Sequence, residues 1–139
     1  MLEYTDLQDL YDRFQAKIDE DLLGKEGRIF NLINSAIAKS YKYVNHKLDY
    51  VLTDEDRYEG YFVEKLGSDE IELLALWMIY EWNRKRQQKL LGQKRSIGTR
   101  DFNKLGSLSD ELKSINFTMG QIMGEINALK NDFNTYKYD

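Results

Sequence analysis

The sequence predicts an all-α fold, an elongated helical bundle ending in a long heptad-patterned C-terminal helix, and three observations carry that expectation. The chain has 139 residues and no proline. Average usage of about 5% would supply roughly seven, and a chain without any suits long uninterrupted helices. Between Ile71 and Trp82 apolar side chains fall on nearly every helical face, as in a helix buried on most sides. From Leu105 onward Leu108, Leu112, Ile115, Met119, Ile122, Ile126, Leu129, Phe133 and Tyr136 follow at spacings of three and four, which is a heptad seam.

The length fits one domain, residues 1–139, and 42% hydrophobic residues with 13% aromatics suffice for a real core. A net charge of −4 is too small for the disorder signature. Cysteine is absent, which excludes disulfides, thiolate metal sites and a cysteine nucleophile.

Along the chain, an N-terminal helix pair is expected over 1–47. Thr5 reads as an N-cap with Asp6 and Asp9 in the first turn, and Leu7, Leu10, Phe14 and Ile18 place a helix from Asp6 to about Leu23. Gly24 and Gly27 bracket a turn, after which Ile29, Leu32, Ile33, Ala36, Ile37, Tyr41 and Val44 predict a second helix ending near His46. Residues 48–67 lack a clean period and read as an irregular connection, with room for a short extended or hairpin segment around 48–66. Ser68 supplies an N-cap with Asp69 and Glu70 behind it, opening a central buried helix over 68–92 whose end is polar and basic. Gly92 and Gly98, with Gln87, Gln88 and Gln93 nearby, predict a mobile loop over 93–106, followed by the C-terminal helix and tail, 107–139. Gly120 and Gly124 fall off the seam and permit close backbone approach or bending.

Met1 to Leu10 has neither a basic n-region nor an apolar h-region, so an intracellular starting point is expected. The longest apolar run, Leu73 to Tyr80, is far short of the roughly 20 residues of a membrane span, and no membrane partner is expected.

Charge is unevenly spread. Residues 1–82 hold 18 acidic and 9 basic side chains, whereas 83–104 hold 8 basic and one acidic. This basic belt comprises Arg84, Lys85, Arg86, Lys89, Lys94, Arg95, Arg100 and Lys104. It has three readings: a solvated face, a contact for nucleic-acid phosphates, or a contact for the acidic body of a neighbouring subunit. The absence of aromatics between Asn83 and Asp101 argues against a single-strand stacking platform, and no helix-turn-helix spacing is visible.

Signals for chemistry are weak. His46 is the one histidine, and a zinc site would need at least three carboxylate partners beside it; a partly exposed helix-end histidine is the better reading. The acidic run Asp54 to Asp56 fails the calcium-loop template, because Tyr58 stands at its fifth position and Lys65 at its twelfth. Walker and dinucleotide glycine patterns and the nucleophile elbow are all missing. No residue is nominated as catalytic, cofactor-binding or metal-ligating, and no cofactor is expected. Trp77 and Trp82 read as core and interface packing.

The segment from Gly60 to Trp82 resembles tailed-bacteriophage head-to-tail connector proteins. The resemblance rests on Phe62, the run Ser68-Asp69-Glu70-Ile71, Leu74-Ala75, Met78 and Glu81-Trp82, followed by the basic stretch, Asp101-Phe102, the leucine-spaced helix and the aromatics Tyr136 to Tyr138. It covers residues 48–139, and the glycines inside the last helix depart from the pattern. It implies a non-enzymatic adaptor subunit in the virion neck, assembled in the host cytoplasm as a ring of about twelve copies. That ring would sit beneath the portal protein, meet a tail or stopper protein, and surround the channel that genomic DNA crosses. The C-terminal part of such connectors docks on the portal, which nominates residues 125–139 with Tyr136 and Tyr138. Two other readings fit the same residues: a small helical DNA-binding or packaging accessory protein using belt 84–104, and a coiled-coil interaction module that dimerises through Leu108 to Phe133.

Overall fold

The computed structural model describes residues 4–18, 26–97 and 101–138, the side chains of Glu26 and 134–138 excepted. Their order is β1 (Thr5–Asp6), α1 (Leu7–Gln15), α2 (Glu26–Ser40), β2 (Tyr50–Asp54), β3 (Glu59–Phe62), α3 (Ser68–Ile97) and α4 (Phe102–Tyr138). The described chain is thus largely helical, with a small antiparallel sheet in the order β1-β3-β2: β2 and β3 occupy the segment around 48–66 that left room for a hairpin, and β1 adds a third strand.

The expected cap of α1 shifts by one residue. Asp6 accepts the Gln8 N–H at 2.9 Å, while the Thr5 hydroxyl is buried and accepts the Leu66 N–H at 2.8 Å. Thr5 is drawn into the sheet edge, where it pairs with Phe62, and Asp6 takes over the helix start. Leu7, Leu10 and Phe14 are fully buried. The helix ends at Gln15, before the expected Leu23, because the Lys17 and Ile18 N–H groups turn back to carbonyls three residues earlier. Residues 19–25 lie outside the described set.

Helix α2 likewise stops at Ser40, short of His46. The backbone N–H groups of Asn45 and His46 both donate to Glu70 Oε2 at 3.1 Å, so a carboxylate on α3 claims the donors that another helical turn would have used. Glu70 also accepts the Gly67 N–H at 2.9 Å, the returning half of a capping box. Gly67, rather than Ser68, therefore precedes the helix; Ser68 is its first residue, and its carbonyl and hydroxyl accept from Arg13.

Within 48–67 the chain forms the β2–β3 hairpin. Asp54 Oδ1 accepts the Asp56 and Arg57 N–H groups at 3.0 and 3.2 Å, and Tyr58 adopts a positive φ of 56°. The register slips between Leu52 and Asp54. Opposite that bulge stands Gly60, where a Cβ would lie 2.1 Å from the Val51 carbonyl oxygen. Only glycine allows the strands to approach so closely.

Helix α3 is the hub: α1, α2 and α4 all pack on it. Its residues 71, 73–79, 81–83 and 90 are buried. The expected loop over 93–106 contracts, because α3 continues through Gly92 and Gln93 to Ile97 and α4 begins at Phe102. Asp101 caps α4 by accepting the Lys104 N–H at 3.0 Å. Gly92, Gly106, Gly120 and Gly124 face open space. The cost of about 1 kcal/mol each is borne by the buried side of α3 at Gly92 and by the buried seam of α4 at the other three.

Helices α3 and α4 are antiparallel. Gln87 donates to Asn116 at 2.6 Å, and Lys130 lies 5.1 Å from the Trp77 ring centroid. Two apolar clusters result. The larger joins α1, α2, the sheet and the first half of α3 to Ile122, Ile126 and Phe133. The smaller holds Leu90, Leu108, Leu112, Ile115 and Met119, with Tyr80 touching both.

Replacing Gly60 with Ala is expected to lower stability in urea unfolding by about 3 kcal/mol, since the added methyl meets backbone. Ile126→Ala, at a fully buried site in the larger cluster, is expected to cost about 3 to 4 kcal/mol. Leu108→Ala in the smaller cluster should cost about half as much, and hydrogen exchange should show the loss confined to the ends of α3 and α4 that meet there.

Candidate functional site

The eight nominated belt residues divide by helix face. Lys85, Arg86 and Lys89 line a groove of about 410 Å³ together with Trp82, Leu90 and Gln93 of the same helix, Glu111 of α4 and Arg28 from the first turns of α2. Arg84 points elsewhere and lies 3.7 Å from Glu81, which Lys39 also pairs. Arg95 and Lys104 are exposed and Lys94 is half-buried, none of them in the groove, and Arg100 lies outside the described residues. A second groove of about 500 Å³ adjoins the first, sharing Trp82 and Arg86, and adds Lys17, Thr118 and Glu125 at its walls.

Among the described residues, Arg28, Lys85, Arg86 and Lys89 have no ion-pair partner. Among the described residues, four cations surround one concave surface with Glu111 as the one lining carboxylate, which sets up a local positive potential. Lys39, by contrast, is already committed to Glu81 and to the Trp77 ring, 4.9 Å away. Arg28 was missed in sequence because nothing in its spacing links it to the belt; only the antiparallel packing of α2 on α3 brings it there. That packing sets Lys39 beside Glu81 at one end and Arg28 beside Lys85 and Lys89 at the other.

Several described acidic side chains lie away from the groove lining. The β2–β3 turn exposes Glu55 and Asp56, neither of them ion-paired among the described residues, while Asp54 lies 3.9 Å from Arg57. Asp9 and Asp12 border a shallow hollow beside Arg13 and Ile71.

The seam residues Leu108, Leu112, Ile115, Met119, Ile122, Ile126 and Phe133 are buried, and Leu129 packs partly buried against the larger cluster. They lie with residues of α3 from the same chain. The side chains of Tyr136 and Tyr138 lie outside the described residues. Phe102 and Phe117, on the outer side of α4, are 77% and 67% exposed, a feature that the seam pattern did not single out.

His46 is exposed, and its Nδ1 sits 2.6 Å from Glu70 Oε1. Among the described residues no group of three or more His, Asp or Glu side chains is placed to hold a metal ion, and no helix is long and apolar enough to cross a membrane. Burial alone would raise the Glu70 carboxyl pKa; the Gly67 N–H, the His46 ring and the His46 N–H outweigh it and hold it below 4.5. Burial pushes the Tyr11 hydroxyl up to about 12, with Tyr50 and Asp6 adding to the shift, and that hydroxyl donates to the Tyr58 carbonyl at 2.7 Å. These groups clamp the hairpin and the α2–β2 connection.

A carboxylate held below its unfolded pKa contributes stability that is complete above the unfolded value and lost as pH falls through the folded one. Glu70→Gln is therefore expected to cost about 3 kcal/mol near neutral pH, leaving backbone donors poorly satisfied, and to flatten the acid limb of stability measured by urea unfolding. Compared with known protein families, with curated proteins and with solved structures, the chain matches none.

Proposed function

We propose that this chain is a non-enzymatic structural subunit of a tailed-bacteriophage neck. Copies of it, elongated along α3 and α4, form a ring of about twelve beneath the portal protein, meet a tail or stopper protein below, and surround the DNA channel. Its place is the head–tail interface of the virion, after assembly in the host cytoplasm. The observation that carries this reading is the segregation of unpaired charge: a cationic groove on α2 and α3 has no partner within the described chain, while the hairpin turn presents free carboxylates. Surfaces of opposite sign on one subunit make a head-to-tail contact, and repetition of such a contact closes into a ring when the rotation allows. The resemblance of residues 48–139 to connector proteins supplies the setting.

A DNA-binding accessory protein is the second reading, favoured by the convergence of Arg28, Lys85, Arg86 and Lys89 on one groove. Duplex DNA held there would be released steeply by added salt. A dimerising coiled coil is the weaker reading, since α3 of the same chain already covers the seam.

The C-terminal docking assignment needs a gentle probe. Removing residues 125–139 would take Ile126 and Phe133 out of the larger core and unfold the chain along with the tail. The double substitution Tyr136→Ala with Tyr138→Ala, checked for folding by circular dichroism, is expected to weaken binding to the portal protein of the same genome by at least about tenfold. Unaltered portal binding by that variant rejects the tail assignment. Retention of the unsubstituted chain on duplex DNA, together with no association with portal, rejects the neck reading in favour of the accessory one.

A further inference from the structure

The two unpaired charged features lie on different sides of one helix end. The β2–β3 turn packs at the start of α2: the Phe30 ring is 5.1 Å from Tyr58 and 5.6 Å from Tyr50, and a Cβ on Gly27 would come within 3.2 Å of the Tyr58 hydroxyl. Arg28, two residues before Phe30, falls nearly opposite it at 3.6 residues per turn and lines the groove with Lys85 and Lys89. The turn and the groove therefore stand at the same level along α2 and α3 and face different ways. Subunits related by a rotation about an axis running roughly along α3 keep that level, which lets the turn of one copy meet the groove of the next.

We propose that the groove formed by Arg28, Lys85, Arg86 and Lys89 is the socket for the acidic β2–β3 turn of a second copy, with Glu55 and Asp56 as the inserted carboxylates. This inference rests on the ring reading and names its contact. Shape and charge agree. The turn is a narrow projection whose tip residues 55–57 are exposed, and the socket is a cavity of about 410 Å³ with the Trp82 and Leu90 side chains among its lining. Arg57 on the turn and Glu111 on the socket wall carry the minority charges, which can pair across the same contact. Such an arrangement leaves no room for the groove to grip DNA in the assembled ring.

The test is a charge exchange. Lys85→Glu with Lys89→Glu, and separately Glu55→Lys with Asp56→Lys, reverse one side of the contact each; all four residues are exposed, and circular dichroism checks that each variant folds. Assembly with portal protein is read by native mass measurement and electron microscopy, and binding to a duplex DNA probe is read in parallel. Each one-sided variant is expected to need at least about tenfold higher concentration to assemble, and the chain carrying all four substitutions is expected to recover assembly. One-sided variants that assemble like the unaltered chain, or a four-fold variant that folds yet does not recover, overturn the socket while leaving the ring intact. An unaltered chain that never assembles overturns the ring and the socket together. Loss of DNA binding in the Lys85→Glu, Lys89→Glu variant with assembly unchanged also overturns the socket and assigns the groove to phosphate.

Discussion

Residues 73–79 of α3 have no side that faces water, and three other helices are needed to cover them. A single amphipathic neighbour buries one stripe of a helix; α1, α2 and α4 between them bury all of it. That requirement explains the departures along the chain. Helix α1 stops early with Leu7, Leu10 and Phe14 already in place against α3, and Phe14 meets Trp82 edge-on at 6.4 Å between centroids. Past Asn83 the demand ends, apart from Leu90, and α3 is free to carry charge.

Burying so much of α3 also buries two of its carboxylates, and each organises a neighbouring segment. Glu70 gathers the Asn45, His46 and Gly67 N–H groups and so fixes where α2 ends and α3 begins. Glu81 holds Lys39, and that lysine ammonium in turn sits over Trp77 and near Tyr80. Lys130 approaches Trp77 as well, at 5.1 Å. Paired or hydrogen-bonded carboxylates of this kind specify one docking of α2 on α3 where an apolar contact would allow several.

Periodic features were legible in the sequence: the seam from Leu108 to Phe133, the buried face of Ile71 to Trp82 and the stripe of α2 all state their own burial. Ends were less so, because the competing partners are distant in sequence. Thr5 has the chemistry of a cap but is claimed by Leu66, and the expected turn to His46 is undone by Glu70. Glycine misled in the other direction: Gly92 read as a breaker, yet it sits inside α3, where Leu90 on the opposite side is buried in the smaller cluster. The belt was visible as composition, but its division into a groove with Arg28 on one side and Arg84 spent on Glu81 depends on helix phase and on the docking of α2.

The molecule that emerges has a closed core, a helical hairpin extending the contact between α3 and α4, and opposite charges left unpaired on separate surfaces. Among the described residues Glu111 is the one carboxylate lining the groove, and the acidic turn proposed as its partner in a second copy has the right sign. The most direct measurement is sedimentation of the purified chain, with the portal protein proposed as its partner, at low and at high salt. The account predicts a single closed species of many copies at low salt that dissociates as salt screens the contact. A two-fold dimer, or a monomer at every salt concentration, would contradict it.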